Sequence, residues 1–392
     1  MRTRWLRLVV TLAIASLALA ACQSSAPAPA SKAEAPKPAA EAPKPAAAPT
    51  AAPTAAPKAA EAPKAPAPTA AAGAQPASKN VPLPTVAGAK WPSKPVGIDN
   101  AGNAGGGLDL FGRSVAEALT KEGIFPGTFV HDSHGGGGGN TGMAWLLEQK
   151  GNTHILMANT NRTYLNPLVG TTKLTPDDFT PVARVATDYM VIAVRKDSPY
   201  KTLKELVDAL KKDPKAVSFA NGTAPPSSDY LNVIYTAVAA GIDPTKLNIV
   251  VFNAGGEVNS ELLGGHVQAA SSSSGELLPF YDSGDMRFLS VSSPERLPRL
   301  KDVPTLKEQG YNVVLKHWRG LFAPKDLPKE VLNYWTQALG VMVTTPTWKG
   351  ILEKNNWADE FLAGEPFSQA LKDEAKAAEA ALRPLGLLPP GK

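Results

Sequence analysis

The sequence predicts an α/β fold with mostly parallel sheets covered by helices on both faces, and three observations lead there. Over the last three hundred or so residues, short apolar strand-like runs alternate with amphipathic helical runs. The strand-like runs end in glycine- or asparagine-rich turns that open the next helix. No apolar run in this region is long enough to span a bilayer.

The N-terminal residues read differently. Arg2, Arg4 and Arg7 precede an apolar stretch from Leu8 to Ala20 that is too short for a membrane helix and ends in small residues. That is the pattern of a signal peptide over residues 1–21. Leu19-Ala20-Ala21-Cys22 resembles the bacterial lipobox, whose cysteine becomes a lipidated N-terminus. Cys22 is the only cysteine, so no internal disulfide can form. A lipid anchor at Cys22 is expected, with the mature chain outside the cytoplasmic membrane; acyl chains contribute roughly 0.8 kcal/mol per buried methylene.

From Cys22 to about residue 90 Pro, Ala, Lys, Glu and Thr dominate, and EAPKPAA occurs twice in tandem from Glu34. Recurrent proline forbids a continuous helix and little here can bury a core, so a solvated tether over 22–90 is expected. At roughly 3 Å per residue it could extend on the order of 200 Å.

The remaining elements follow in order. PVGIDN is strand-like and LDLFGRSVAEALTKEG helical; GTFVHDS, TGMAWLLEQKG and HILMAN give strand, helix and strand. MVIAVRK, TLKELVDALKK, VSFAN, SDYLNVIYTAVAAG, NIVVFN and EVNSELLGG continue the alternation, before VQAASSS, MRFLSVS and the surface helix ALKDEAKAAEAAL. In such folds ligands bind beyond the carboxyl ends of the strands. Those ends carry Asn103, Ala104, Gly105, Gly106 and Gly107; His134 with five glycines; Asn159, Thr160 and Asn161; Asn221, Gly222 and Thr223 before Ser227 and Ser228; and Gly255. Glycines let an anion approach backbone N–H groups, and a helix N-terminus favours negative charge. The residues suit holding a small carboxylate, not transforming it.

Other chemistries fare worse. Gly137-x-Gly139-x-x-Gly142 fits a dinucleotide fingerprint but lacks the acid some twenty residues on. His131 and His134 have no cysteine or carboxylate cluster for a metal, and the Ser271–Ser274 run lies in no nucleophile elbow. No enzyme, cofactor or metal is expected. The net charge of +5 is modest and no arginine-rich patch stands out, which argues against nucleic acid.

SKPVGIDNAGNAGGGLD, HGGGGGNTGMAWLLEQKGNTHILMANTNRTYLNP, SFANGTAPPSSDYLN, LLGGHVQ, RLPRLKDVPTLKEQG and HWRGLFAPKDLPKEV occur in an order and spacing that resembles the substrate-binding receptors of tripartite tricarboxylate transporters, the Bug-type receptors. The resemblance covers residues 92 to 389. It implies a two-lobed periplasmic binding protein, type II-like, with lobes joined by crossover strands. Such a receptor closes on a small organic acid, gripping its carboxylate with the first glycine-rich loop and the Asn221–Ser228 loop, and delivers it to large and small integral-membrane subunits. Ser272 falls where the family often has an acid-amide pair, and Trp318 is either a pocket wall or core; both join the expected ligand-binding residues. Asn100–Asn103 and the five-glycine run depart from the family pattern, so the ligand does not carry over. MVIAVRK and MRFLSVS look like paired crossover strands, which gives lobe 1 over 91–190, lobe 2 over 191–289 and lobe 1 again over 290–392. A monomer is expected, and the same domain used as a ligand sensor is the alternative role.

Growth with a labelled fatty acid should mark the wild type and leave a Cys22→Ser variant unlabelled; equal labelling of both would end the lipobox reading.

Overall fold

The computed structural model describes residues 81–389, apart from 224, 253 and 254. All of them lie within a unit spanning residues 58–392. The expected signal peptide, the lipidated Cys22 and the tether up to residue 80 fall outside the described residues.

A small hairpin comes first, β1 (Thr85–Val86) and β2 (Ala89–Lys90). Val81 is buried, and Leu83 and Val86 pack on the core beside Trp91. The expected tether to residue 90 therefore reaches too far; these scattered apolar residues were enough to fold its last turn onto the protein. Next come β3 (Val96–Asn100), α1 (Gly107–Lys121), β4 (Phe129–Val130), α2 (Asn140–Glu148), β5 (Ile155–Asn159) and α3 (Arg162–Leu168). A sixteen-residue strand, β6 (Thr180–Arg195), leads to α4 (Leu203–Lys212), β7 (Ser218–Asn221), α5 (Ser228–Ala239) and β8 (Asn248–Val251). Then follow α6 (Gly255–Leu263), β9 (Ala269–Ser273), α7 (Ser274–Asp282) and β10 (Met286–Val291). Last are β11 (Lys316–Ala323), α8 (Lys329–Met342), α9 (Pro346–Asn355), β12 (Ala358–Ala363) and α10 (Glu365–Leu382).

The strands share one path, β4-β3-β5-β11-β6-β9-β7-β8, with β10 and β12 also paired to β6. The outer βα units are parallel, as the alternation predicts. The centre is antiparallel, because β6 and β11 run through it in opposite senses. "Mostly parallel" therefore holds only for the flanks.

Strand β6 joins two lobes. From Thr180 to Tyr189 it pairs with β11; from Met190 onward it pairs with β9 and β10. Its residues change cores at the same place. Val182 and Val185 pack with Val96, Ile98 and Trp335, whereas Val191 and Ala193 face Leu262 and Leu277. Ile192 and Val194 take the opposite face, against Leu206 and Phe219, as two-residue periodicity requires. Each half of the sheet is thus covered on both sides.

Local signals set the helix starts. At α4, Thr202 Oγ1 accepts from the Glu205 N–H, and Glu205 accepts from the Thr202 N–H, a reciprocal capping box. The last helix is fixed by charge. Arg184 on β6 is fully buried and donates to Glu360 on β12 at 3.1 Å and Glu374 on α10 at 2.7 Å. Its guanidinium stacks over Trp318 at 4.9 Å.

Arg184→Ala takes the shared cation from two partly buried carboxylates, leaving Glu360 with Lys316 and Glu374 with the Trp318 N–H, and should cost about 2–4 kcal/mol in urea unfolding. A loss under about 1 kcal/mol, the range of exposed pairs, would show that packing alone holds α10.

Candidate functional site

The loop after β3 begins with Asn100, whose amide donates to Ser133 Oγ at 2.8 Å and accepts from the Gly102 N–H at 3.0 Å. It thereby ties the first glycine-rich loop to the second. Gly105 turns the chain with φ +75°, where a side chain would be strained. Its N–H donates to Asp109 Oδ2 at 2.9 Å, and the Gly106 N–H donates to Asn103 O at 3.1 Å. Two of the three amides expected to grip an anion are thus engaged within the loop. Gly106 itself has an extended backbone, φ −81°. Asn103, Ala104, Gly105 and Gly106 are exposed.

Gly107 reaches furthest. A Cβ built on it would stand 2.7 Å from Glu276 Oε1 on α7 and 3.0 Å from Arg319 Nη1 on β11. A side chain here would have to push these two side-chain ends aside.

The second loop has positive φ at Gly136, Gly137, Gly138 and Gly139, which explains the glycine run. Asn166 fastens it by donating to Gly138 O at 3.0 Å, while a Cβ on Gly138 would meet Arg162 Nη2 at 2.7 Å. His134 lies against Asp99 at 3.4 Å and stacks on Trp145, a packing role.

After β5, Asn159 and Thr160 are buried and bonded locally, with Asn159 Oδ1 accepting the Thr160 N–H. Asn161 crosses to lobe 2: its amide donates to Ser228 Oγ at 3.0 Å. The same hydroxyl lies 2.9 Å from His317 Nδ1 on β11. Burial, then the nearby Arg319 and Arg162, push the His317 pKa well below 6.5, so the ring is neutral. Ser227 caps α5 by accepting the Tyr230 N–H at 3.2 Å, and Thr223 donates to Asp229 at 2.9 Å. The Gly222 N–H also points to Asp229, whose pKa burial raises although these bonds and Arg162 oppose it. Asn221 is wholly buried, and neither side-chain polar atom has a partner among the described residues.

The serine run completes the wall. Ser273 and Ser274 donate to Asp188 on β6, which also receives Arg319 Nη2 at 2.9 Å. Ser272 donates to Glu276 Oε2 at 3.2 Å. Glu276 keeps an exposed edge but is otherwise surrounded by protein, and this desolvation, with Asp229 and Asp188 nearby, outweighs Arg319 and raises its pKa to about 7.

The loops at Gly107, Asn161, Ser228 and Ser272 therefore converge. Gly255 begins α6. Trp318 departs from the pocket-wall expectation. It is fully buried among Phe322 and Phe367 and donates to Glu374 at 2.8 Å, because strand alternation turns it away from His317 and Arg319. The ionisable groups Arg162, Asp188, Asp229, Glu276 and His317 were not predicted as site residues; the alternation in His317-Trp318-Arg319 was the one available signal. Among the described residues no group of three or more metal-ligating side chains occurs, and no helix is long and apolar enough to cross a membrane.

The sequence model of the Tripartite tricarboxylate transporter family receptor matches residues 112–387. A UPF0065 protein from the TAR-I ttuE-ttuC' intergenic region of Agrobacterium vitis is 27% identical over 67% of this chain and 76% of its own. A TctC solute binding protein from Polaromonas, solved without ligand, is 28% identical with TM-score 0.59, covering 75% of this chain and 99% of its own. R. palustris Rpa4515, solved with adipate, shares the fold at 20% identity and TM-score 0.70, covering 76% of this chain and 99% of its own.

The raised Glu276 pKa has a stability consequence. A folded-state pKa above the ordinary 4.5 contributes stability that is complete below pH 4.5 and is lost as pH rises through about 7. Glu276→Gln removes this dependence, so the variant should gain on the wild type between those values, by at most about 3 °C given the solvent exposure. Parallel melting curves across that range would disprove the assignment.

Proposed function

The chain belongs to the tripartite tricarboxylate transporter receptor family, and from that premise we propose that it is an extracytoplasmic receptor which closes two lobes around a small organic acid and delivers it to an integral-membrane symporter. The observation that carries this reading is the polar seam Asn161–Ser228–His317, where side chains from both lobes meet beside the N-terminus of α5. A hydroxyl, an amide and a neutral imidazole can donate to a carboxylate without adding a fixed charge, and the helix end favours an anion. The adipate of the R. palustris relative supports an acid as ligand class. Ser272, Ser273 and Ser274 serve Glu276 and Asp188, and the Ser228–His317 contact is read as part of the ligand seat.

Closure is proposed to hinge where β6 passes from β11 to β9, near Tyr189 and Met190, with lobe 2 over 191–289 between the two parts of lobe 1. Cys22 and the Pro/Ala-rich segment are proposed as anchor and spacer, and the receptor as a monomer that docks on the large and small membrane subunits.

A thermal-shift screen of mono-, di- and tricarboxylates should find an acid that raises the melting temperature, because it binds the folded state alone. Ser228→Ala should then weaken that acid by about ten- to a hundred-fold in calorimetry, with unchanged circular dichroism. Unaltered affinity would remove the seam from the site, and a screen with no hit would sink the receptor reading.

A further inference from the structure

The fixed charges around the cleft do not suit a plain di- or tricarboxylate. Arg319 and Asp188 form a buried ion pair, with side chains 2% and 0% exposed, and so cancel. Arg162 lies in the field of Asp229, each moving the other's titration. His317 is neutral. Glu276 is left over. Among the described residues its carboxylate receives one hydrogen bond, from Ser272 Oγ, and forms no ion pair. Arg319 lies beside the same Gly107; its Nη2 is bonded to Asp188, its Nη1 stands 3.0 Å from the Gly107 Cβ position, and its pull on Glu276 is outweighed by desolvation.

Its position gives this acid consequence. Glu276 Oε1 fills the space that a Cβ on Gly107 would take, in front of the α1 N-terminus. A ligand carboxylate brought to that helix end would meet a second carboxylate at contact distance, and like charges held together in a cleft oppose binding. A protonated amine there would meet an ionised acceptor and form a charge-assisted hydrogen bond. The ligand's own carboxylate would then lie on the Asn161–Ser228–His317 side.

We propose that Glu276 sets the charge class of the ligand: the receptor takes an amino-bearing, zwitterionic acid in preference to the plain acid of the same skeleton, with Glu276 accepting from the ammonium group. This rests on the reading of the cleft as an organic-acid site. Glu276 is a specificity residue on that view, and Gly107 is the vacancy that admits it.

Calorimetry on the full chain, at mildly alkaline pH where Glu276 is ionised, would compare matched pairs: aspartate with succinate, glutamate with glutarate, alanine with propionate. Wild type should bind the amino member of one pair at least about ten-fold tighter than its plain partner. Glu276→Gln should weaken the amino member about ten-fold while sparing or improving the plain one, so that the preference collapses. Gln keeps the side-chain shape, and circular dichroism checks the fold. Equal or tighter binding of plain acids by the wild type overturns the proposal. So does a Glu276→Gln protein that gains affinity for plain acids with the amino member unaffected, which would make Glu276 a mere latch on α1. Binding that Ser228→Ala leaves unchanged would instead fault the location of the site, and no heat from any pair would overturn both readings.

Discussion

The Asp188–Arg319 pair is the constraint on which the cleft depends. Asp188 sits on β6 just before that strand changes partners, and Arg319 sits on β11 beside it. Both charges are withdrawn from water, which is costly unless every remaining hydrogen-bonding position is filled. Ser273, Ser274 and the Tyr189 N–H supply those bonds on the Asp188 side, whereas Arg319 Nε has no partner among the described residues and Trp357 covers the guanidinium at 4.9 Å. Since the serines begin α7 and Arg319 belongs to β11, one ion pair fixes the start of α7 against the strands that join the lobes. That placement carries Glu276 to the front of α1. Ser273 and Ser274 are thereby explained as ligation of a buried acid.

The two charge systems on β6 and β11 divide the labour by strand periodicity. Arg184, with Trp318, faces α10 and binds it through Glu374. His317 and Arg319 face the cleft from the opposite side of β11. A single strand thus presents one charge network on one face and a second on the other, as strand alternation dictates. This is why Trp318, an attractive pocket wall from its neighbours, is core.

The alternation of strand and helix was legible because it is a local property: apolar periodicity and turn residues lie within a few positions of each other. The capping box at Thr202 and the positive-φ run at Gly136–Gly139 are of the same kind. The strand ends at Asn161 and Ser228 were legible too, since topology alone places them at the mouth of the sheet. The contacts from Glu276 to Gly107 and from Arg319 to Asp188 were not. Each joins residues more than a hundred positions apart, and nothing in the local sequence of either partner signals the other. The antiparallel centre has no local signal for a related reason: β11 pairs with β6 across a similar distance.

The glycines illustrate how one residue type serves separate ends in a single loop. Gly105 is needed for its backbone, since the turn at φ +75° directs its N–H to Asp109 and closes the loop on its own helix. Gly107 is needed for its missing side chain. Its backbone is open to any residue, but a Cβ would displace Glu276 and crowd Arg319. The first requirement is local and would exist in an isolated lobe. The second joins distant elements: Arg319 comes from β11 and Glu276 from α7. A glycine-rich loop at a strand end therefore does not by itself mark an anion seat: here its amides are partly spent within the loop, and the open space beside it already admits a carboxylate of the protein's own.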